Sequence, residues 1–346
     1  MEEIKCLVWD LDDTVWEGTL AEGTAGSLRP NVLQAIKTLD ARGILNSVAS
    51  RNNEPDAMEH LKKLGIAQYF VAPQINWGAK SASIGNIISA LNLSSSNFGF
   101  IDDRAFEREE AASVYPDLRL YDADMAGKLT ELPEFNPRFV TDDSINRRQY
   151  YQAGEARTAA EKAYSGPNME FLKSLQMVFS LNPAKTDDLK RAYELTVRTH
   201  QLNTTGLTYD YDELALLQKS SEHLLLMADL KDRFGPYGKI GLALVEKGEE
   251  AWNIKLLLMS CRVAGRGVGT IMLHRIMEAA FAHDLKVRAD FRANGRNDMM
   301  LATYRFAGFR TVSEDNGTIV LEAKPHAVPL VPDYVRFIGG IEQIRK

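Results

Sequence analysis

At 346 residues the chain is longer than a single hydrophobic core usually serves, so two domains are expected. Its 45% apolar and 25% charged content is that of a soluble globular protein, and a net charge of −6 argues against a nucleic-acid partner, which basic patches would have to hold. No apolar run approaches the ~18 residues of a membrane span, no signal peptide opens the chain, and two cysteines make no disulfide framework. The expectation is a cytoplasmic, reduced protein without membrane contact.

The first element is an apolar strand, residues 4–9, which delivers Asp10-Leu-Asp12-Asp-Thr14. A short apolar run with polar bounds reads as a buried strand, and its carboxyl end is where open α/β sheets place their ligands. Asp10 and Asp12 stand at i and i+2, so they point the same way and repel unless a cation separates them. Mg²⁺ suits that position, because it takes one or two carboxylates and shares its remaining sites with water and phosphate. A helix over 29–43 leads to a second strand, 44–49, that ends at Ser50-Arg51-Asn52. A helix over 54–64, stopped by Gly65, fills the crossover that parallel strands require. Lys80 follows Asn76-Trp-Gly-Ala, and a third strand, 97–101, ends in Asp102-Asp103. An Asp-rich strand end alone is often only a loop start or a helix cap. Here an acid pair, a hydroxyl, a lysine and a second acid pair follow one another, mostly at strand ends.

This order resembles the four motifs of the haloacid dehalogenase-like (HAD) phosphohydrolases. The resemblance implies Asp10 as a nucleophile that accepts a phosphoryl group, splitting one hard step into two. Asp12 is then general acid toward the leaving oxygen and base for the incoming water. Ser50, Arg51, Asn52 and Lys80 bind phosphoryl oxygens, with Thr14 beside them tying the loop after the strand. Asp10, the backbone carbonyl of Asp12, Asp102 and Asp103 hold Mg²⁺. Asp10 and Ser50 lie too close in sequence for an inserted cap domain, so the site is expected to be open, suiting a macromolecular substrate or a lid from elsewhere.

Prolines, a polar stretch and a charged helical segment place a boundary near 133–166. The division expected is a first domain over 1–145, a connecting helix over 146–175, a second domain over 176–325 and a tail over 326–346. The pattern restarts with a strand (177–181), helices (186–199 and 211–219) and strands (224–229, 240–247 and 252–259). The turn Ser260-Cys-Arg-Val-Ala-Gly265-Arg-Gly-Val-Gly269-Thr then opens a helix through His283. Such a turn offers backbone N–H groups to an anion, and the preceding strand meander disfavours a dinucleotide-binding unit. After a strand over 286–292, Asn297 and Tyr304 precede Gly308-Phe309. This half resembles the GNAT N-acetyltransferases, which implies Gly265, Arg266, Gly267, Gly269, Asn297 and Tyr304 as contacts for coenzyme A or a phosphopantetheine arm. Ala264 stands where a Gln or Arg is usual, which points away from ordinary acetyl-CoA use. The fold class expected is α/β, a capless Rossmann-like HAD domain followed by a GNAT-like domain.

The pairing resembles the FkbH-like family of polyketide biosynthesis over nearly the whole chain. The resemblance rests on 8–18, Ser50-Arg-Asn-Asn, Gln74-Ile-Asn-Trp-Gly-Ala-Lys80, Phe100-Ile-Asp-Asp-Arg-Ala-Phe-Glu-Arg-Glu-Glu110, 198–205 and 260–266. It implies that glyceryl from 1,3-bisphosphoglycerate, or a similar acyl phosphate, is freed of phosphate and loaded onto the phosphopantetheine thiol of an acyl carrier protein. His200 stands where Asn is expected in many members; a base or carrier contact and a plain loop histidine are both open. Cys261, before the glycine turn and beside Arg262, is the candidate thiol for a covalent thioester, against the packing role usual for a free cysteine. Cys6 is read as core. The alternatives are acyltransfer from another phosphorylated acyl substrate, or a carrier-binding scaffold with one degenerate domain.

Overall fold

The computed structural model describes residues 3–340 and divides into two compact units between Glu155 and Ala156. In the first, β1 (Cys6–Trp9), α1 (Val32–Ala41), β2 (Leu45–Ser50), α2 (Glu54–Lys63), β3 (Gln74–Ile75), α3 (Lys80–Leu91), β4 (Phe98–Asp102), α4 (Ala105–Val114) and β5 (Arg119–Asp122) alternate, and a short α5 (Asp142–Ile145) follows. The strands form one parallel sheet in the order β3-β2-β1-β4-β5. Parallel strands covered on both faces need apolar side chains on both, and Cys6-Leu-Val-Trp9 is buried throughout. Alternation divides β1 between two cores: Leu7 and Trp9 pack with Val48 and Ile36, while Cys6 and Val8 pack with Ala49 and Ile84. The chain leaves β1 for β2 on one side and returns as β4 on the other. The crevice for a ligand opens at this switch point, beyond the carboxyl ends of the strands.

α6 (Arg147–Ala163) carries the chain across the division and α7 (Asn168–Ser174) follows, with Phe171 and Leu172 buried in the core of the second unit. That unit continues through β6 (Met177–Pro183), α8 (Leu189–Arg198), α9 (Tyr211–Lys219), β7 (His223–Asp232), β8 (Gly235–Lys247), β9 (Ala251–Met259), α10 (Val268–Phe281), β10 (Lys286–Phe291), α11 (Asp298–Phe306), β11 (Phe309–Asp315), β12 (Thr318–Ala323) and β13 (Val335–Ile338). Its eight strands lie in the order β11-β12-β10-β9-β8-β7-β6-β13. β6 to β9 form an antiparallel meander, whereas β10 runs parallel to β9. The segment read from sequence as a tail contributes β13, parallel to β6; its residues 341–346 lie outside the described residues. Among the described residues no helix is long and apolar enough to cross a membrane.

The pairing of β9 with β10 covers only Ala251–Ile254 against Lys286–Ala289. Beyond it, the loop after α8 supplies the missing partners. Met259 N–H donates to Leu202 O at 2.9 Å, Thr204 N–H to Leu257 O at 3.0 Å, and Arg292 N–H to Thr204 O at 2.9 Å. Asn297 locks this insertion: its Nδ2 donates to Asn203 O and to Arg292 O, each at 2.9 Å, and the side chain has no solvent exposure. Buried carbonyls need such partners, and an orphaned one forfeits its desolvation energy. Asn297→Ala is therefore expected to destabilise the second unit by about 2–4 kcal/mol in urea unfolding, at roughly 1–2 per abandoned carbonyl. A loss below about 0.5 kcal/mol would show that other groups hold the insertion in place.

Candidate active site

The crevice at the switch point is a cleft of ≈ 350 Å³, with Asp10, Asp12, Ser50, Arg51, Lys80, Asp102 and Asp103 in its walls. Strand ends supply four of these groups: Asp10 and Asp12 follow β1, Ser50 ends β2 and Asp102 ends β4. Lys80, the first residue of α3, reaches across them. Its Nζ donates to the Asp10 carboxylate, to Asp102 Oδ2 at 3.0 Å and to Ala49 O at 2.8 Å. Asp10, Lys80 and Asp102 are 6%, 3% and 1% exposed, so the charges meet with little water between them.

One lysine does not balance the acids. The carboxylate oxygens of Asp10, Asp102 and Asp103 lie within 4.8 Å of one another. Burial pushes the Asp10 carboxyl up to about 6; Lys80 opposes the shift and Asp102 adds to it. Asp102 and Asp103 are raised as well, burial being the largest cause for each. Burial also works against the charge on Lys80, but Asp10 and Asp102 outweigh it and hold the ammonium above its ordinary value. Three converging carboxylates with surplus negative charge and hard oxygen donors fit Mg²⁺.

The Asp12 carboxylate lies outside that triad. Its Oδ1 accepts from Trp16 Nε1 at 2.9 Å and from Leu20 N–H at 3.0 Å, and its Oδ2 accepts from Asn52 Nδ2 at 3.0 Å. Asn52 also donates to Ser50 Oγ at 3.1 Å, so Asn52 couples the two groups instead of standing free toward a phosphoryl oxygen. Thr14, expected beside the phosphate, is fully buried, and its Oγ1 accepts from Asp103 N–H at 3.1 Å. It ties the loop after β4 to the loop after β1 and does not face the cleft. Arg51 stays at the cleft wall, held by Gly78 O at 3.1 Å and by Glu107 at 3.1 Å.

In the second unit two of the expected arm contacts are turned inward: Asn297 is consumed by the carbonyls described above, and Tyr304 is fully buried against Phe309. Gly269 lies in the first turn of α10, where a Cβ would meet Met259 and Thr303. These residues pack α10 and α11 onto the sheet. Gly265, Arg266 and Gly267 do lie on the turn before α10, Arg266 pairing with Glu161 at 3.1 Å. Gly267 has φ +74°, and a Cβ there would come within 2.9 Å of the Tyr334 hydroxyl, so backbone conformation alone accounts for glycine at this position. His200 is exposed on the loop after α8, its carbonyl accepting from Asn294 Nδ2 at 3.0 Å. Cys261 is partly exposed just beyond β9, whereas Cys6 is sealed in β1 and burial pushes its thiol up. Sequence reasoning assigned no role to Glu107 and Glu110 of α4, one turn apart, which contact Arg51 and the start of α3. Nor did it find the Leu202–Thr204 insertion, which has no local signature.

No protein-family model matches the chain, and no curated protein matches it. Among solved structures it is similar to the N-terminal part of the protein BF1531 from Bacteroides fragilis, which contains a phosphatase domain and is complexed with Mg; identity is 28% and the TM-score 0.33. That likeness covers 39% of this chain and only 40% of the other. The PaiA N-acetyltransferase from Thermoplasma acidophilum, in complex with coenzyme A, is similar over 42% of this chain and 98% of its own, at 14% identity and a TM-score of 0.35. An acetyltransferase of the GNAT family from Streptococcus pneumoniae is similar over 42% and 98%, at 16% identity and a TM-score of 0.32.

The charge arrangement predicts a specific response to metal. Lys80→Met strands Asp10 and Asp102, and breaking a buried pair typically loses about 3–5 kcal/mol. Mg²⁺ at ~100 times its dissociation constant returns about 2.7 kcal/mol to any folded state that binds it. The variant should therefore melt well below the wild type in EDTA and recover part of the gap in Mg²⁺. Thermal scans showing no Mg²⁺-dependent recovery would remove the triad as a cation site.

Proposed function

We propose that the first unit is an Mg²⁺-dependent phosphohydrolase acting at Asp10, and that the whole chain frees glyceryl from 1,3-bisphosphoglycerate and passes it to the phosphopantetheine thiol of an acyl carrier protein. The observation that carries the reading is the buried Asp10–Lys80–Asp102 constellation opening onto a cleft, with Asp103 completing three converging carboxylates. Bound Mg²⁺ would neutralise phosphoryl oxygens and the surplus carboxylate charge. Asp10 Oδ attacks phosphorus of the phosphate monoester, and the P–O bond to the substrate carbon chain breaks. Asp12, fixed by Trp16, Leu20 and Asn52, protonates the departing alkoxide and then takes a proton from the water that hydrolyses the aspartyl-phosphate. Ser50 bonds to the phosphoryl oxygens, and the charge of Lys80, held beside Asp10, compensates theirs in the transition state.

The acyl phosphate at the other end of that substrate is already activated. Thiolate attack on its carbonyl forms the thioester and displaces inorganic phosphate, which needs positioning more than a strong base. The substrate therefore yields two phosphates for each glyceryl thioester formed. Cys261, partly exposed, is the thiol of this chain assigned to accept the acyl group in this reading, since Cys6 is enclosed by the first unit's core. The sequence resemblance supplies the substrate and the carrier protein; the cleft supports the phosphatase step.

The test is intact mass. Carrier protein bearing its phosphopantetheine arm, incubated with 1,3-bisphosphoglycerate, Mg²⁺ and the enzyme, should gain one glyceryl group. Asp10→Asn should reduce Mg²⁺-dependent phosphate release from the monoester by at least about a thousandfold, because the amide is neither nucleophile nor anion. Cys261→Ser should load the carrier poorly and carry no glyceryl mass on the peptide containing residue 261. Normal loading by Cys261→Ser would mean direct transfer from the acyl phosphate to the carrier thiol.

A further inference from the structure

We infer that Glu107 of α4 is a positioning residue for the phosphoryl site, holding Arg51 against the cleft at the expense of fold stability; this rests on the phosphohydrolase reading above. Glu107 is 4% exposed, yet the cation it faces, the guanidinium of Arg51, belongs to a side chain that is 39% exposed. One carboxylate oxygen, Oε1, forms an ion pair with Arg51 Nη1 at 3.1 Å, while Oε2 is buried with no hydrogen-bond partner. A half-partnered buried carboxylate is an expensive way to fill a helix face, and its replacement by an apolar side chain of similar volume leaves behind only Arg51, which is 39% exposed and keeps its water, so no buried charge is stranded. A group of that kind calls for a reason other than packing.

The reason lies in what its partner does. Arg51 follows Ser50 directly at the end of β2, and its Nε donates to Gly78 O at 3.1 Å, on the loop that leads into Lys80. Fixed at Nε by Gly78 and at one terminal nitrogen by Glu107, the guanidinium has its rotamers removed before a ligand arrives, and donors remain for an anion in the cleft. The same face of α4 repeats the device three residues on. Glu110 accepts from Ser81 N–H at 3.0 Å and from the Ser81 hydroxyl, in the first turn of α3 beside Lys80. The N-cap of α3 makes no side-chain hydrogen bond, so this carboxylate meets an N–H that the helix leaves open. Between them Arg108 donates to Asp102 O, at the end of β4. Three residues of one helical turn thus reach the elements that carry Arg51, Lys80 and Asp102.

A positioning role and a packing role give opposite signs in one variant. Glu107→Met retains volume and removes the buried charge. The expected result is a melting temperature equal to or above that of the wild type, together with a Ki for orthovanadate, the phosphate-mimicking probe, raised about tenfold. KM for the phosphorylated substrate should rise by a similar factor, with kcat changed less than threefold. The Mg²⁺ concentration giving half-maximal thermal stabilisation should stay within twofold, because Asp10, Asp102 and Asp103 are untouched. Glu107→Gln, which keeps an acceptor for Arg51, should recover most of the vanadate affinity. The inference is overturned if Glu107→Met melts lower and leaves the vanadate Ki unchanged, or if Glu107→Gln is as impaired as Glu107→Met. A wild-type enzyme that releases no Mg²⁺-dependent phosphate would instead defeat the underlying phosphohydrolase reading, before any variant is compared.

Discussion

Everything at the first site depends on one unfavourable act: placing Asp10, Asp102 and Lys80 together where water scarcely reaches. In water these charges would interact weakly, whereas at low local dielectric each attraction and repulsion grows several-fold. The sheet makes the arrangement unavoidable once the sequence is written. β1 and β4 are adjacent and parallel, so their carboxyl ends bring Asp10 and Asp102 side by side. Lys80 enters from the crossover after β3 and bonds to both. The resulting balance is incomplete, since Asp103 adds a third carboxylate that the lysine does not contact and that, among the described residues, only the exposed Arg104 opposes, at 4.0 Å.

The two units treat polar groups in opposite ways. Around the first cleft the polar groups converge on a space: carboxylates, a lysine and a half-exposed arginine surround a volume large enough for a phosphorylated ligand. In the second unit the polar groups found deepest are spent on the protein itself. Asn203, Thr204 and Asn297 have no exposure, and their bonds stitch the loop after α8 between β9 and β10. Thr204 Oγ1 takes the Leu257 N–H at 3.0 Å, a bond that a neighbouring strand would otherwise make. Completing the sheet in this way explains why a loop of so little regular structure is buried at all.

Where sequence reasoning succeeded, it relied on signals local in sequence. The run Cys6-Leu-Val-Trp9 before Asp10 fixes a strand and the place where it ends, and the Asp-rich, Ser50, Lys80 and Asp102-Asp103 segments then locate the cleft. The helix over 211–219 has the bounds observed for α9. Asn297 and Tyr304 show the limit of the approach. An Asn at a helix start and a Tyr before Gly-Phe carry no mark that separates a side chain facing a ligand from one sealed into the interior. That distinction is set by the Leu202–Thr204 segment, more than ninety residues away in the chain. β13 was missed for a related reason: Val335–Ile338 is a short strand whose parallel pairing with β6 is a purely long-range fact. Thr14 was read in two roles at once, and only its bond to Asp103 N–H separates the structural one from the chemical one.

An open cleft places its own demand on the chemistry. Between β1 and β2 the chain has room for α1 and for a loop through Trp16, whose indole serves Asp12, but not for a separate lid. Trp77, at the cleft, is 66% exposed. Electrostatic stabilisation is strongest when water is excluded, and among the described residues of the first unit no inserted domain performs that exclusion. Groups that need no closing motion must therefore be set in advance. Asp12 is fixed through both oxygens, Lys80 by three acceptors and Arg51 from two sides, so each is in place before a substrate enters. Rigid prepositioning takes over the part that a closing domain plays elsewhere. The same logic explains the polar residues of α4, which hold Arg51, the start of α3 and the end of β4 in place.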